Sequence, residues 1–277
     1  MRGIKANIFT FIKYFTLLLG VFVALLPITV ILFSSFKTSD EYNSTNPLTP
    51  PENWLNLSNF TRAFVEGNMI VGFLNTTIIL VLSLIGATLT GSMIAYVLNR
   101  FNFKGKKILL GAFLLAVLIP GVTTQVATFQ IVNELGLFNT RWAAIILYMG
   151  TDIIAVYIFM QFLNNISVSL DESALLDGAS YFTVFRKIIL PLLKPAIVTV
   201  VIVKGVNIYN DFYTPFLYMP KKDLSVVSTA LFKFQGPMGS SWEVICAGIM
   251  IVIIPTLIIF LILQKHIYNG ITQGSVK

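Results

Sequence analysis

The side chains able to do chemistry here are few and oddly placed: Asp152, Lys204, Asn207, Asn210 and Asp211 all lie inside long apolar runs. A charge at the centre of a bilayer costs at least roughly 2.5 kcal/mol on insertion scales, so such a residue needs a partner, a bundle interior or a wet path. On a helix turning about 100° per residue, Lys204 and Asp211 point almost the same way, with Asn207 one step to the side. Thr123, Thr124, Gln125 and Gln130 form a weaker polar set. Two readings stay open for these residues: contact with a polar solute, or a hydrogen-bond network between helices. Catalysis fits poorly. The chain has no GxxxxGK[ST] phosphate cradle, no HExxH and a single His, so no catalytic, metal-binding or nucleotide-binding residue is expected.

Depth selects a partner for Lys204. Asp152 lies about ten residues below the outer end of the fourth apolar run, and Lys204 about nine above Pro195 in the fifth, so a rise of about 1.5 Å per residue brings both near mid-bilayer. Asp211, two turns further along the same helix, is about 10 Å away. The expectation is an Asp152–Lys204 pair, with two independently hydrated charges as the alternative.

The elements that position these groups follow from composition. Of 277 residues, 56% are apolar and 11% charged, where soluble chains carry about 25% charged residues. Cys246 sits in an apolar run as a packing residue, and His266 falls just past the last one. The net charge of +7 comes from basic residues dispersed around apolar segments, which suits membrane orientation and not nucleic acid. Six runs, 11–33, 71–98, 108–132, 142–163, 196–219 and 244–263, are each long enough to cross the hydrocarbon at about 20 residues per crossing. The expected fold is an all-α membrane protein of six transmembrane helices, since no strand-like alternation repeats. The first run is longer than a signal core and lacks a clear small-x-small site, so it reads as a retained span with Pro27 as a potential kink. Segment 34–70 is polar; its prolines (Pro47, Pro50, Pro51) predict an irregular start, and Leu57–Val65 a short interfacial helix capped by Ser58.

Orientation follows from the flanking cations. With the N-terminus inside, the cytoplasm holds twelve Lys/Arg: Arg2, Lys5, Lys13, Arg100, Lys104, Lys106, Lys107, Arg186, Lys187, Lys194, Lys265 and Lys277. The outside holds six, Lys37, Arg62, Arg141, Lys221, Lys222 and Lys233. Both termini are therefore expected in the cytoplasm and 34–70 outside. The cluster Arg100–Lys107 reads as a topogenic loop on anionic headgroups, with contact to a partner as the alternative.

One cytoplasmic stretch, 169–195 (SLDESALLDGASYFTVFRKIILPLLKP), is polar-studded between two apolar runs. Ser169 and Glu172 have capping-box spacing, Gly178 can end that helix in a left-handed turn, and Ser180 can cap a second helix. Pro191 and Pro195 disrupt the continuation. The expected shape is a helix–turn–helix that another protein could hold.

These residues also carry a resemblance. Glu172, Ala174, Asp177-Gly178-Ala179, Phe185, Ile188, Leu190-Pro191 and Pro195 resemble the EAA loop of permease subunits from binding-protein-dependent ABC importers. Ser173 stands where the family usually has the first Ala of its name. Tyr209-Asn210-Asp211-Phe212 before Pro215 is similar to the family's Trp-Asn-Asp-Phe stretch, with Tyr209 in place of Trp. The segments SFKTSDEYN and FLNTT, and the tail 264–277 with Gln264-Lys265, Tyr268, Gly270 and Gly274-Ser275, resemble the sugar-importing, maltose-transporter-type branch.

The resemblance implies that 169–195 is a cytoplasmic coupling loop docking on an ATPase through Glu172, Ser173, Ala174, Asp177, Gly178 and Ala179. It implies a tail reaching between ATPase subunits through Gln273, Gly274 and Ser275. ATP and Mg would sit on those subunits, with no cofactor here and no enzymatic activity of this chain. Expected partners are a second homologous permease, two ATPases, an extracellular solute-binding protein, membrane lipid and a carbohydrate, in a bacterial plasma membrane. Two alternatives remain open. A secondary transporter would need an ion site inside its spans and no docking hairpin; a non-transporting scaffold would need neither hairpin nor polar interior.

Overall fold

The computed structural model describes residues 2–150, 152–236 and 239–275, without the side chains of 2–9, 239, 260 and 262–275. In chain order its helices are α1 Arg2–Phe36, α2 Ser39–Ser44, α3 Ser58–Glu66, α4 Met69–Arg100, α5 Lys106–Leu118, α6 Gln125–Glu134, α7 Arg141–Met149 and α8 Ile153–Leu163. Then come α9 Ser169–Leu176, α10 Tyr181–Val184, α11 Leu190–Leu192, α12 Lys194–Asn210, α13 Tyr213–Tyr218, α14 Val227–Ala230 and α15 Trp242–Ser275. A two-residue antiparallel ladder pairs Gln235 with Ser240 and Gly236 with Gly239.

Among the described residues, three helices are long and apolar enough to cross a membrane, and three bent pairs raise the number to six if each pair is one crossing. The first, second and sixth expected runs are thus single helices, and Pro27 and Pro255 sit inside unbroken ones. The other three are not. The third run bends by 95° between α5 and α6. Pro120 lacks a donor and holds Ile119 extended (φ −80°, ψ 115°), which ends α5. The fourth bends by 41° between α7 and α8, where Gly150 leaves the helical region and Asp152 starts a new cap. The fifth ends at Asn210 and resumes as α13, after a 73° bend near Leu193 at its start. The backbone of α15 stays helical to Ser275, so residues 264–275 continue the last helix.

The chain divides into two compact units. The first holds Met1–Ile70 and Ala230–Ile258. Segment 34–70 is more ordered than its prolines suggest. Thr38 and Glu41 form a full capping box on α2, and the buried Lys37 ammonium donates to Thr45 Oγ1 (2.8 Å) and the Asn46 carbonyl (2.9 Å). Ser58 does not cap α3. The Asn56 side-chain oxygen accepts from the Ser58 amide and hydroxyl instead. Buried Asn59 ties α3 to the end of α1 through the carbonyls of Ser35 and Lys37.

The second unit holds Val71–Thr229 and Ile259–Lys277. It has two apolar clusters. One joins Ala95, Tyr96 and Leu98 of α4 to Phe159 of α8, Val184, Phe185 and Ile189 beyond α9, and Val200 of α12. The other joins Ile79 and Leu84 of α4 to α7, Ile208 and Tyr218. Asn75, fully buried, pins the loop after α13: it donates to the carbonyls of Asp223 (2.9 Å) and Ser225 (2.8 Å) and accepts from Arg141 Nε (2.7 Å). Asn75→Ala orphans these groups and is expected to destabilise the chain by about 1–3 kcal/mol. Thermal unfolding in detergent reads this as a lowered Tm; an unchanged Tm would mean that water replaces the amide.

Candidate functional site

The hairpin is built from local rules, but not all of those expected. The capping box of Ser169 and Glu172 does not form: α9 opens at Val168 with no side-chain cap, and the Ser167 hydroxyl takes the Ser169 amide instead (3.3 Å). A serine two positions earlier occupies the site that spacing assigns to Glu172. The exit is as expected. Gly178 has φ +84°, and Gly178 N donates to Leu175 O while Ala179 N donates to Ala174 O, both at 3.0 Å. That is the paired bonding of a Schellman turn, which favours Gly at the left-handed position. Ser180 then caps α10 through the Thr183 amide (3.3 Å).

Past α10 the ladder widens into a π turn over Phe185–Ile189. Pro191 has no N–H for the Lys187 carbonyl, and Leu190 N bonds Phe185 O five residues back. Ala174, Leu175 and Ala179 pack inward on the apolar cluster. Glu172, Ser173, Asp177 and Gly178 are exposed, and Leu176 is 89% exposed. One face of α9 is held and the other presented.

What holds it is a buried ion pair that sequence reasoning missed. Arg100 Nε lies 3.0 Å from Asp171 Oδ2, both side chains 7% exposed. The Tyr96 hydroxyl donates to the same oxygen (3.2 Å), and Arg100 Nη2 donates to the Ile166 carbonyl (2.9 Å). Asn99 adds a bond to Asn164 (2.7 Å). Arg100 is therefore not on lipid headgroups, as the cluster reading expects; it ties the end of α4 to the hairpin. The sequence signal, if any, was an acid in the first turn of the hairpin, Asp171, on the same expected cytoplasmic side as Arg100. Removing one member of a buried pair costs about 3–5 kcal/mol because the other charge is stranded. Arg100→Ala is expected to raise hydrogen exchange across 169–178 strongly, and Arg100→Met with Asp171→Leu to restore most of the protection. Equal exchange in both variants would remove the pair from this role.

Inside the apolar runs, Lys204 Nζ meets Asp152 Oδ2 at 2.9 Å, the pair that depth predicted. Asp152 Oδ1 also accepts from the Ala155 amide (3.1 Å), capping α8. Asp211 differs from expectation: it lies past the end of α12, not on its face with Lys204. Its carboxylate accepts from Tyr148 Oη (2.8 Å), Thr214 Oγ1 (2.6 Å) and the amides of Tyr213 and Thr214. Asn207 and Asn210 are exposed on α12. Gln125 accepts from Tyr213 Oη (2.6 Å), while Thr123 and Thr124 bond back to their own turn. The side chains of Gln273, Gly274 and Ser275 fall outside the described residues.

Comparison with known proteins adds the family. Residues 87–273 match the profile of the binding-protein-dependent transport system inner membrane component, a stretch that includes the hairpin. Over 271 residues the chain is 34% identical to a probable starch degradation products transport system permease protein, AmyC, of Thermoanaerobacterium thermosulfurigenes, covering 96% of this chain and 97% of that one. It is also 34% identical to the multiple sugar-binding transport system permease protein MsmG of Streptococcus mutans, with 96% and 97% covered. The fold is similar to that of a chain from a bacterial ABC transporter involved in the import of the acidic polysaccharide alginate, with TM-score 0.81, 19% identity and 94% and 96% covered. With this match across most of its length, the chain belongs to the inner-membrane permease components of binding-protein-dependent transport systems.

Proposed function

We propose that this chain is one permease subunit of an ATP-driven importer for sugars or oligosaccharides, and that the hairpin 169–195 couples it to an ATPase. The observation that carries the reading is the two-sided hairpin. Its inner face is tied to α4 by Arg100–Asp171, while Glu172, Ser173, Asp177 and an 89% exposed Leu176 stand outward. With Leu170, Tyr181 and Phe182 also exposed on the hairpin, these apolar groups among polar ones suit a partner cleft. Glu172 offers that cleft an anionic contact, and Ala174 and Ala179 set the packing beneath it. The sugar class is carried by the relatives named above.

In this reading both termini and the hairpin are cytoplasmic, 34–70 faces the solute-binding protein, and a second, homologous permease completes the path. ATP and Mg sit on two separate ATPase subunits, and this chain itself catalyses nothing. Closure of the ATPases moves the hairpins, and the spans alternate between inward- and outward-open states; contacts that differ between those states supply the coupling. Gln273, Gly274 and Ser275 contact the ATPases from the tail, and Asp152, Lys204, Asn207 and Asn210 mark the polar side of the path, while Asp211, with its acceptor sites filled, fastens the end of α12 beside it.

Copurification tests the core of the reading: an ATPase should come down with this chain, whereas a secondary transporter or a scaffold would bring none. Gly178→Val places a Cβ in a left-handed position at roughly 1–2 kcal/mol. It is expected to leave the chain in the membrane but to weaken ATPase binding and uptake; full uptake would remove the hairpin from the mechanism. Truncation after Tyr268 leaves the expected spans intact, so insertion should persist while ATPase stimulation by loaded binding protein falls. Unchanged stimulation would leave the tail without a coupling role.

A further inference from the structure

We propose that the Asp152–Lys204 pair and the helix breaks around it form a contact site for an uncharged, polyhydroxylated solute, such as a neutral sugar ring. This rests on the import reading above. The pair opens onto a wide-mouthed depression of about 390 Å³ lined by Val117, Leu147, Gly150, Ile153, Ile154 and the two charged residues, a volume within the usual range for small-molecule sites.

Three observations converge there. First, Gly150 and Asp152 belong to the break in the fourth run, and Val117 is one residue from the end of α5 at the break in the third. Non-helical backbone at membrane depth is tolerated only where protein buries it or water reaches it. Second, the Lys204 and Asp152 side chains keep 12% and 26% of their surface open, so the open side cannot face hydrocarbon without a charge penalty.

Third, the pair has bonding capacity left. A lysine ammonium has three donors and a carboxylate about four acceptor sites. Among the described residues, Asp152 takes one donor, and Lys204 and the Ala155 amide take two acceptor sites. Donors and acceptors therefore sit side by side on a group of no net charge. Neighbouring hydroxyls both donate and accept, and match that array. A carboxylate or phosphate would match only the lysine and would repel Asp152.

The test uses the assembled transporter in membrane vesicles. In a Cys246→Ser background, Val117→Cys places a thiol on the cavity without touching the pair. A membrane-impermeant cationic methanethiosulfonate should label position 117, and the uncharged oligosaccharide taken up fastest in an uptake panel should slow that labelling at least about fivefold. Labelling by permeant reagents alone, or labelling indifferent to the sugar, overturns the site.

Asp152→Asn with Lys204→Gln keeps a hydrogen-bonding pair and a helix cap. It should assemble and bring down an ATPase as the unmodified chain does, yet raise the KM for uptake about tenfold, the equivalent of about 1.4 kcal/mol. An unchanged KM also overturns the site. If the unmodified chain brings down no ATPase and takes up no sugar, the import reading is what fails, while water access at position 117 is still decided by the impermeant reagent.

Discussion

Hydrocarbon offers a broken backbone no hydrogen-bond partner, so every interruption of a membrane helix has to be mended from within the chain. This constraint accounts for the placement of Thr123, Asp152 and Asp211 in the apolar runs. At Pro120 the carbonyl is taken by the Thr123 amide (3.0 Å) and hydroxyl (2.7 Å). After Gly150 the Asp152 carboxylate caps α8 through Ala155. Past Asn210 the Asp211 carboxylate caps α13 through Tyr213 and Thr214. The breaks and the costly side chains occur together because one mends the other.

The same economy explains how a surface event could reach the spans. The inner face of the hairpin is not merely packed. It is joined to α4 by a buried pair and to α8 and α12 by Val184, Phe185, Ile189 and Leu193. Close-packed interiors have little compressibility, and the hairpin has no glycine on its packed side to yield at. In the proposed coupling, a displacement of the exposed face of α9 would act on α4, α8 and α12 together. Tyr96 strengthens the joint by serving twice: its hydroxyl bonds Asp171, and its ring lies 5.5 Å from Phe185.

What could be read from the sequence was local or forced by a large energy. Apolar runs of about 20 residues announce crossings, and Gly178 and Ser180 announce a turn and a cap, because each acts on residues within five positions of itself. The Asp152–Lys204 pair spans 52 positions, yet it was legible because an unpaired charge at that depth costs so much. Arg100–Asp171 spans 71 positions and was not, since both ends lie near polar loops where lipid or water could satisfy them equally well. The bends were hidden too: the runs stay apolar enough overall to read as single crossings despite Pro120-Gly121 and Gly150, and hydropathy records length but not direction. The misread cap at Ser169 shows competition between near-equivalent serines, which spacing alone does not rank.

The two intramembrane carboxylates, alike in the sequence, have different work. Asp211 accepts four described hydrogen bonds, from Tyr148, Tyr213, Thr214 N and Thr214 Oγ1, which fills the acceptor sites a carboxylate has. Each donor is on a neighbouring turn or on α7, so the group is a structural knot that joins the end of α12 to α7 and α13. Asp152 accepts two, one of them from a lysine on another helix, and retains open surface beside a cavity. A saturated carboxylate can be neither strengthened nor exchanged without breaking the helix it caps. An unsaturated one can gain a partner and release it, which a transport path needs and a knot does not.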